Sequence, residues 1–276
     1  KPDGLILGTL TEGAVFGVRN GWEVANWFAG PDDDPAEPSS FRRPRWQAAV
    51  GREVAVAAEA SALADFSYLS LFKISGPGAE GFLETLSAAS LPAPGRAAVA
   101  PFLTKTGRVA TCLRIARTKD DEFLLIGPGE HERRDHDWLW RQLPADGPAG
   151  LENVRLENES GRHGILLLTG PKAGEVLRAC GKADIFADLS DAGLPEGGIA
   201  KAGLGYAPAT VIRLDETGCG DHWLLTPMDF LRHLHDAVAA AGEEHGLRAM
   251  GLRAWDSLRL ERAVPAIGLD APFIGL

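Results

Sequence analysis

One pattern constrains this 276-residue chain more than any other, because it occurs twice. Phe72-Lys73-Ile74-Ser75-Gly76-Pro77-Gly78-Ala79-Glu80-Gly81-Phe82-Leu83 reads as a strand, a Gly-Pro turn and the start of a helix. Ile165-Leu166-Leu167-Leu168-Thr169-Gly170-Pro171-Lys172-Ala173-Gly174-Glu175-Val176-Leu177 repeats that order, with Gly170 lying 94 positions after Gly76. Serine or threonine ahead of Gly-Pro offers a cap-type oxygen, and proline near a first helical turn forfeits no hydrogen bond. Two copies of a strand–turn–helix specify two similar α+β units, and two are too few for a solenoid.

The rest of the chain fits around these copies. Between them, Arg108–Arg117 and Glu122–Gly127 read as antiparallel strands joined by the polar turn Thr118-Lys119-Asp120-Asp121, with a helix from about Glu130 to Leu143 after them. That helix carries Trp138, Trp140 and Leu143. Beyond the second copy, Ala207–Leu214 and His222–Leu225 suit strands, and Asp229–His245 suits an amphipathic helix with Phe230, Leu234 and Val238 on its apolar stripe. Ahead of the first copy, Ala49–Ala62 has helical composition, and residues 30–40, with three prolines and four acids, read as a surface loop.

Composition excludes several classes. A formal charge of −10 and a pI near 5.2 oppose binding to nucleic acid or anionic lipid, which need clustered basic residues. Cys112, Cys180 and Cys219 are far apart and form no CxxC pair, so neither a disulfide framework nor a cysteine-rich metal site is expected, and a cytoplasmic setting is the default. No apolar run approaches the roughly 18–20 residues that span a bilayer, and residues 1–20 do not read as an export signal. The chain starts at Lys1 rather than Met, which leaves room for a segment ahead of it. His131, Asp135 and His136 share a helix face, but the two arginines among them favour a solvated helix start over a metal site. Trp22, Trp27 and Trp46 suit a core or interface better than a stacking platform for a flat ligand.

Several stretches, in order, resemble the tetrahydrofolate-dependent aminomethyltransferase family, which includes the glycine-cleavage T-protein. They are most similar to the folate-binding C-terminal half of dimethylglycine and sarcosine dehydrogenases. Gly13-Ala14-Val15-Phe16-Gly17, the aromatic run Gly21–Phe28 and Ser40-Phe41-Arg42-Arg43-Pro44-Arg45-Trp46 look like the family's entry segment. Asp65-Phe66-Ser67 with Ile74–Glu80 continues the likeness, and Asp256-Ser257-Leu258-Arg259-Leu260-Glu261 with Gly268-Leu269-Asp270 closes it. The resemblance implies a cloverleaf of α+β domains, a first from residues 1–46 and 151–276 and a second from 47–150. It also implies tetrahydrofolate as cofactor, with one-carbon units passed to it from an N-methyl amine oxidised by a flavin-dependent partner subunit. The family's C-terminal barrel would begin near Asp270, so its absence from this chain is expected. No GxGxxG follows a strand, so neither FAD nor NAD is expected on the chain itself.

The chain departs from the family where its chemistry is done. The pattern Gly-Gly-x-x-x-Asp-Leu falls on Gly107–Leu113 and puts Cys112 at the aspartate position. Gly-Glu-x-Gly-x-Glu falls on Gly218–Trp223 and keeps neither glutamate, with Asp221 as a substitute after a shift of register. The resemblance thus supplies a candidate cofactor-binding set of Cys112, Phe123, Cys219, Asp221, Trp223, Trp255 and Arg259, no metal ligand, and no assigned catalytic residue. Cys112 and Cys219 read either as a redox or soft-metal pair or as small buried groups filling space once held by carboxylates. Arg259 would grip a folate carboxylate or pair with Asp256 or Glu261. Three functions follow as expectations: one-carbon transfer to tetrahydrofolate, a non-catalytic subunit docked to an oxidoreductase, or a pocket retargeted to another small molecule.

Overall fold

The computed structural model describes residues 13–19, 21–37, 41–143, 154–181 and 194–265. Ser40 and Gly268-Leu269-Asp270, which carry part of the resemblance, lie outside them. In chain order the elements begin with β1 (Ala14–Arg19), β2 (Trp22–Phe28), α1 (Gln47–Glu59), β3 (Ser61–Asp65), β4 (Ser70–Ser75), α2 (Ala79–Leu86) and β5 (Arg96–Leu103). β6 (Val109–Lys119), β7 (Glu122–Gly127), α3 (Glu132–Gln142), β8 (Arg155–Asn158), β9 (His163–Thr169) and α4 (Ala173–Cys180) follow. β10 (Ile199–Leu204), β11 (Ala207–Arg213), β12 (His222–Pro227), α5 (Leu231–Gly242), β13 (Leu247–Ala249) and α6 (Leu252–Glu261) complete the order.

These elements form two compact units, each taken in its described residues. The first comprises Lys1–Ser67, Gly164–Glu196 and Ala200–Val264, and the second comprises Tyr68–His163, Gly197–Ile199 and Pro265–Leu276. The crossings at Ser67/Tyr68 and His163/Gly164 differ from those expected at 46/47 and 150/151. The reason is strand pairing. β3 lies antiparallel to β9, with Ala62 opposite Thr169, and parallel to β13, which commits α1 and β3 to the first unit. The helix expected over 49–62 ends at Glu59 for the same reason, since Ser61 already belongs to β3.

The first unit holds a six-stranded sheet in the order β10-β11-β12-β9-β3-β13. Leu166 and Leu168 of β9 are fully buried, and Val176 and Leu177 of α4 pack in the same core. α5 contributes Leu231, Leu234 and Val238. The buried stripe starts at Leu231 rather than at the expected Phe230, which sits in a preceding 3₁₀ turn and stays partly exposed. A buried carboxylate ties three elements of this unit together: Glu53 Oε1 accepts from Phe28 N (2.7 Å) and Oε2 from Gly251 N (2.8 Å). Burial pushes its carboxyl up to about 7, against the pull of these two donors.

The second unit holds a five-stranded sheet in the order β5-β6-β7-β4-β8, with α2 and α3 supplying Phe82, Leu83 and Leu139 to its core. The first sheet is mixed, with β13 parallel to β3, and the second is antiparallel throughout; both are open sheets with helices against them, the α+β class expected. No helix among the described residues is long and apolar enough to cross a membrane.

The sequence repeat is a repeat of backbone geometry. Gly76 and Gly170 take φ of +114° and +117°, and each accepts at 2.9 Å from the first residue of the following helix, Ala79 N and Ala173 N. At Gly170 the chain also passes so close to its neighbours that an added Cβ would lie 2.4 Å from the Ala60 carbonyl oxygen. Gly95, at φ +76°, has nothing within 4 Å of such a Cβ. Gly170→Ala should therefore cost about 2 kcal/mol or more, combining backbone strain with overlap. Gly95→Ala should cost only the conformational part, about 1 kcal/mol. Urea midpoints of the two variants check this ordering, and equal losses would refute it.

Candidate functional site

In the first unit the candidate site grows from the loop between β11 and β12. Asp221 is fully buried there, and the loop closes around it. Its Oδ2 accepts from Glu216 N and Thr217 N, both at 2.9 Å, and its Oδ1 accepts from the Thr217 hydroxyl at 2.6 Å. The Thr169 hydroxyl supports the same charge. Gly218 and Gly220 take φ of +80° and +89°, which lets the chain reverse so tightly that Asp221 faces back onto its own loop. Gly170 N donates to Cys219 O (3.1 Å), so the loop is latched to the glycine turn of the second repeat. Burial pushes the Asp221 carboxyl up to about 6 despite these donors.

Cys219 sits on the rim of this loop, half-buried, its backbone N donating to the Thr217 hydroxyl at 3.3 Å. Burial raises its thiol, with Asp221 and Asp215 adding in the same sense, which keeps it protonated near neutrality. Arg262, absent from the sequence-based set, packs over Gly218: an added Cβ there would lie 2.7 Å from its Nη1. Only the tertiary fold brings α6's end to that glycine.

Trp223, Trp255 and Arg259 form a connected row with Phe66. Trp223 is fully buried and its Nε1 donates to Leu214 O at 3.3 Å. The Phe66 ring meets Trp223 edge-on at 5.2 Å and Trp255 at 5.3 Å. The Arg259 guanidinium lies 5.5 Å from the Trp255 ring, while Nε donates to Asp256 Oδ1 (2.8 Å) and Nη1 to Val264 O (3.1 Å). Of the two roles open to Arg259, the structure thus supplies the pairing with Asp256. Trp255 Nε1 is buried and has no hydrogen-bond partner among the described residues.

Cys112 and Phe123 belong to the second unit. Cys112 lies on β6 opposite Pro101, half-buried. Phe123 pairs with Arg117 across β6–β7, carries that guanidinium 5.0 Å from its ring, and is fully buried in the apolar core with Ile115. Strand alternation puts Arg117 and Ile115 on one face and Cys112 on the other, so Cys112 and Phe123 point to opposite sides of the sheet. Asp135 of the proposed helix-face cluster is buried, paired with Arg134 (2.6 Å) and the Thr111 hydroxyl (2.9 Å). The tryptophans divide: Trp27 is a core residue, whereas Trp46 carries the Arg253 guanidinium 4.2 Å from its ring.

The family model described as the GCVT N-terminal domain matches residues 8–272. The chain belongs to the folate-dependent aminomethyltransferase family. It is 31% identical over 259 residues to mitochondrial dimethylglycine dehydrogenase of Homo sapiens, covering 92% of this chain and 28% of that protein. It is 27% identical over 259 residues to the formaldehyde-forming 4-methylaminobutanoate oxidase of Paenarthrobacter nicotinovorans, covering 94% and 30%. The chain thus spans under a third of these relatives' length. Glycine cleavage system aminomethyltransferase T from Bartonella henselae shares the fold, with a TM-score of 0.73 at 20% identity over 96% of this chain and 63% of that one.

Tetrahydrofolate is the family's cofactor, and its pterin ring presents donors that need acceptors. The loop residues here do not fit that demand. Both Asp221 oxygens are engaged by their own loop, the Trp223 indole is donor-only and sealed, and the Cys219 thiol is held neutral. The Trp255 N–H, without a partner among the described residues, is the one group here that an acceptor on a bound molecule would complete.

The raised Asp221 carboxyl has a consequence for stability. Between its ordinary 3.8 and about 6 the folded chain holds this proton more tightly than the unfolded chain, so stability falls as pH rises through that window. Asp221→Asn should flatten this slope. Asp221→Ala, which strands buried donors, should lower stability by about 3 kcal/mol or more. Urea unfolding at about pH 4 and pH 7 measures both, and an unchanged slope in Asp221→Asn would sink the assignment.

Proposed function

We propose that this chain is an accessory module of an N-methylamine-oxidising system, one that keeps the aminomethyltransferase scaffold without capturing one-carbon units on tetrahydrofolate. The observation that carries the reading is the Asp221 carboxylate, which hydrogen bonds of its own loop withhold from any ligand. Beside it, Trp223 fills with packed ring the position where the family pattern has a glutamate. The relatives' names support the setting. One oxidises dimethylglycine, and another acts on a methylamino acid and forms formaldehyde. In this reading the chain docks beside an oxidoreductase, and the one-carbon unit leaves as the aldehyde.

A second reading, one-carbon transfer to tetrahydrofolate, draws on a single feature, the buried Trp255 N–H, which lacks a partner among the described residues and would be completed by a bound acceptor. Titration calorimetry and melting with tetrahydrofolate separate the two. The accessory reading expects no saturable heat and no shift in melting temperature up to about 1 mM, because a ligand stabilises the state it binds. Micromolar binding that weakens in Trp255→Phe, which deletes the N–H and keeps an aromatic ring, would overturn it.

A further inference from the structure

The second unit carries a cleft of about 1060 Å³ that holds none of the candidate cofactor-binding residues. Its walls come from the β5–β6 turn, the end of α2 and one side of α3. Lys105, Arg134 and Arg141 converge on it, against the single carboxylate of Asp137. In a chain of net charge −10 that local excess of cations runs against the average.

The cations are placed by structure rather than scattered. Arg134 donates through Nε (3.0 Å) and Nη2 (2.6 Å) to Asp135 Oδ1. Asp135 is 1% exposed and is itself fixed by the Thr111 hydroxyl. The carboxylate lies beneath and the guanidinium lines the cleft, so the pair turns its positive end to a ligand. Lys105 sits on a turn closed by Gly107 N to Thr104 O (2.9 Å) and Thr104 N to Arg108 O (2.8 Å), with Gly107 at φ +78°. The ion pair with buried Asp135 therefore fixes Arg134 before any ligand arrives, which lowers the ordering cost of binding at that cation. Leu86, Leu103 and Trp138 give the same cleft an apolar wall.

We propose that this cleft is a binding site for a small organic oxyanion, a phosphate- or carboxylate-bearing molecule. Its charged end meets Lys105, Arg134 and Arg141 and its apolar body lies against Leu86, Leu103 and Trp138. The volume suits a ligand of drug size. The site is independent of the reading given for the first unit and stands or falls separately from it.

Titration calorimetry on the full 276-residue chain at low ionic strength tests it, with pyrophosphate and citrate as separate probes. One saturable site is expected for at least one probe, with affinity falling about tenfold or more in the double variant Lys105→Gln/Arg141→Gln. Both substituted residues are exposed, so a melting curve like the parent's confirms that the fold survives. Pyrophosphate alone would name a phosphorylated ligand, citrate alone a polycarboxylate, and both an oxyanion recognised by charge. No saturable heat for either probe up to about 10 mM would overturn the site. So would binding that the double variant leaves unchanged, or binding that the exposed first-unit control Arg232→Gln weakens equally.

Discussion

A buried carboxylate answered only by neighbours in its own chain organises the first unit. Asp221 gathers the amides of Glu216 and Thr217 and the Thr217 hydroxyl, and the loop so formed is latched to Gly170 through Cys219 O. Each donor compensates part of the cost of burying charge, which no single contact would offset. Because the latch joins the β11–β12 loop to the turn after β9, the loop and the second repeat hold one another in place. Glu53 plays a comparable part at the edge of the unit, joining β2, α1 and the start of α6.

The same interaction explains how a pocket changes while its scaffold persists. The apolar cores around β9 and around Phe72, Phe102 and Phe123 are sealed without reference to any ligand. What a pterin would need are outward acceptors on the β11–β12 loop. Here the acid has turned inward, and aromatic packing of Phe66 on Trp223 and Trp255 takes over the neighbouring space. In the accessory reading proposed above, self-contained packing takes the place of polar recognition while both apolar cores stay closed.

Much of the fold is visible in local chemistry. Ser75-Gly76-Pro77 and Thr169-Gly170-Pro171 mark two strand-to-helix turns, and both glycines take the positive φ such turns require. Strand alternation and a polar turn mark β6 and β7. Other features escape local reading. Ser61 and Ala62 fall in the stretch read as helical by composition and join a strand because β9 and β13 flank it. Trp140 falls within a helical pattern yet is 60% exposed, while Trp138 and Leu139 are the residues turned inward. Phe123 and Cys112 both belong to the family-derived set, but opposite strand parity sends their side chains to different faces.

The amino-acid sequence by itself determined the two repeated units and their α+β class, because periodicity and turn chemistry act over a few residues; the family came from the resemblance of several motifs in order. It also determined that the usual acids are missing, since that is a matter of residue identity. Only tertiary structure decided where the remaining polar groups point. By residue type alone Asp221 suits a ligand or its own loop equally, and Arg259 a carboxylate tail or Asp256. The outcome depended on donors and acceptors that folding brought within about 3 Å, an accounting of buried hydrogen bonds that no linear pattern records.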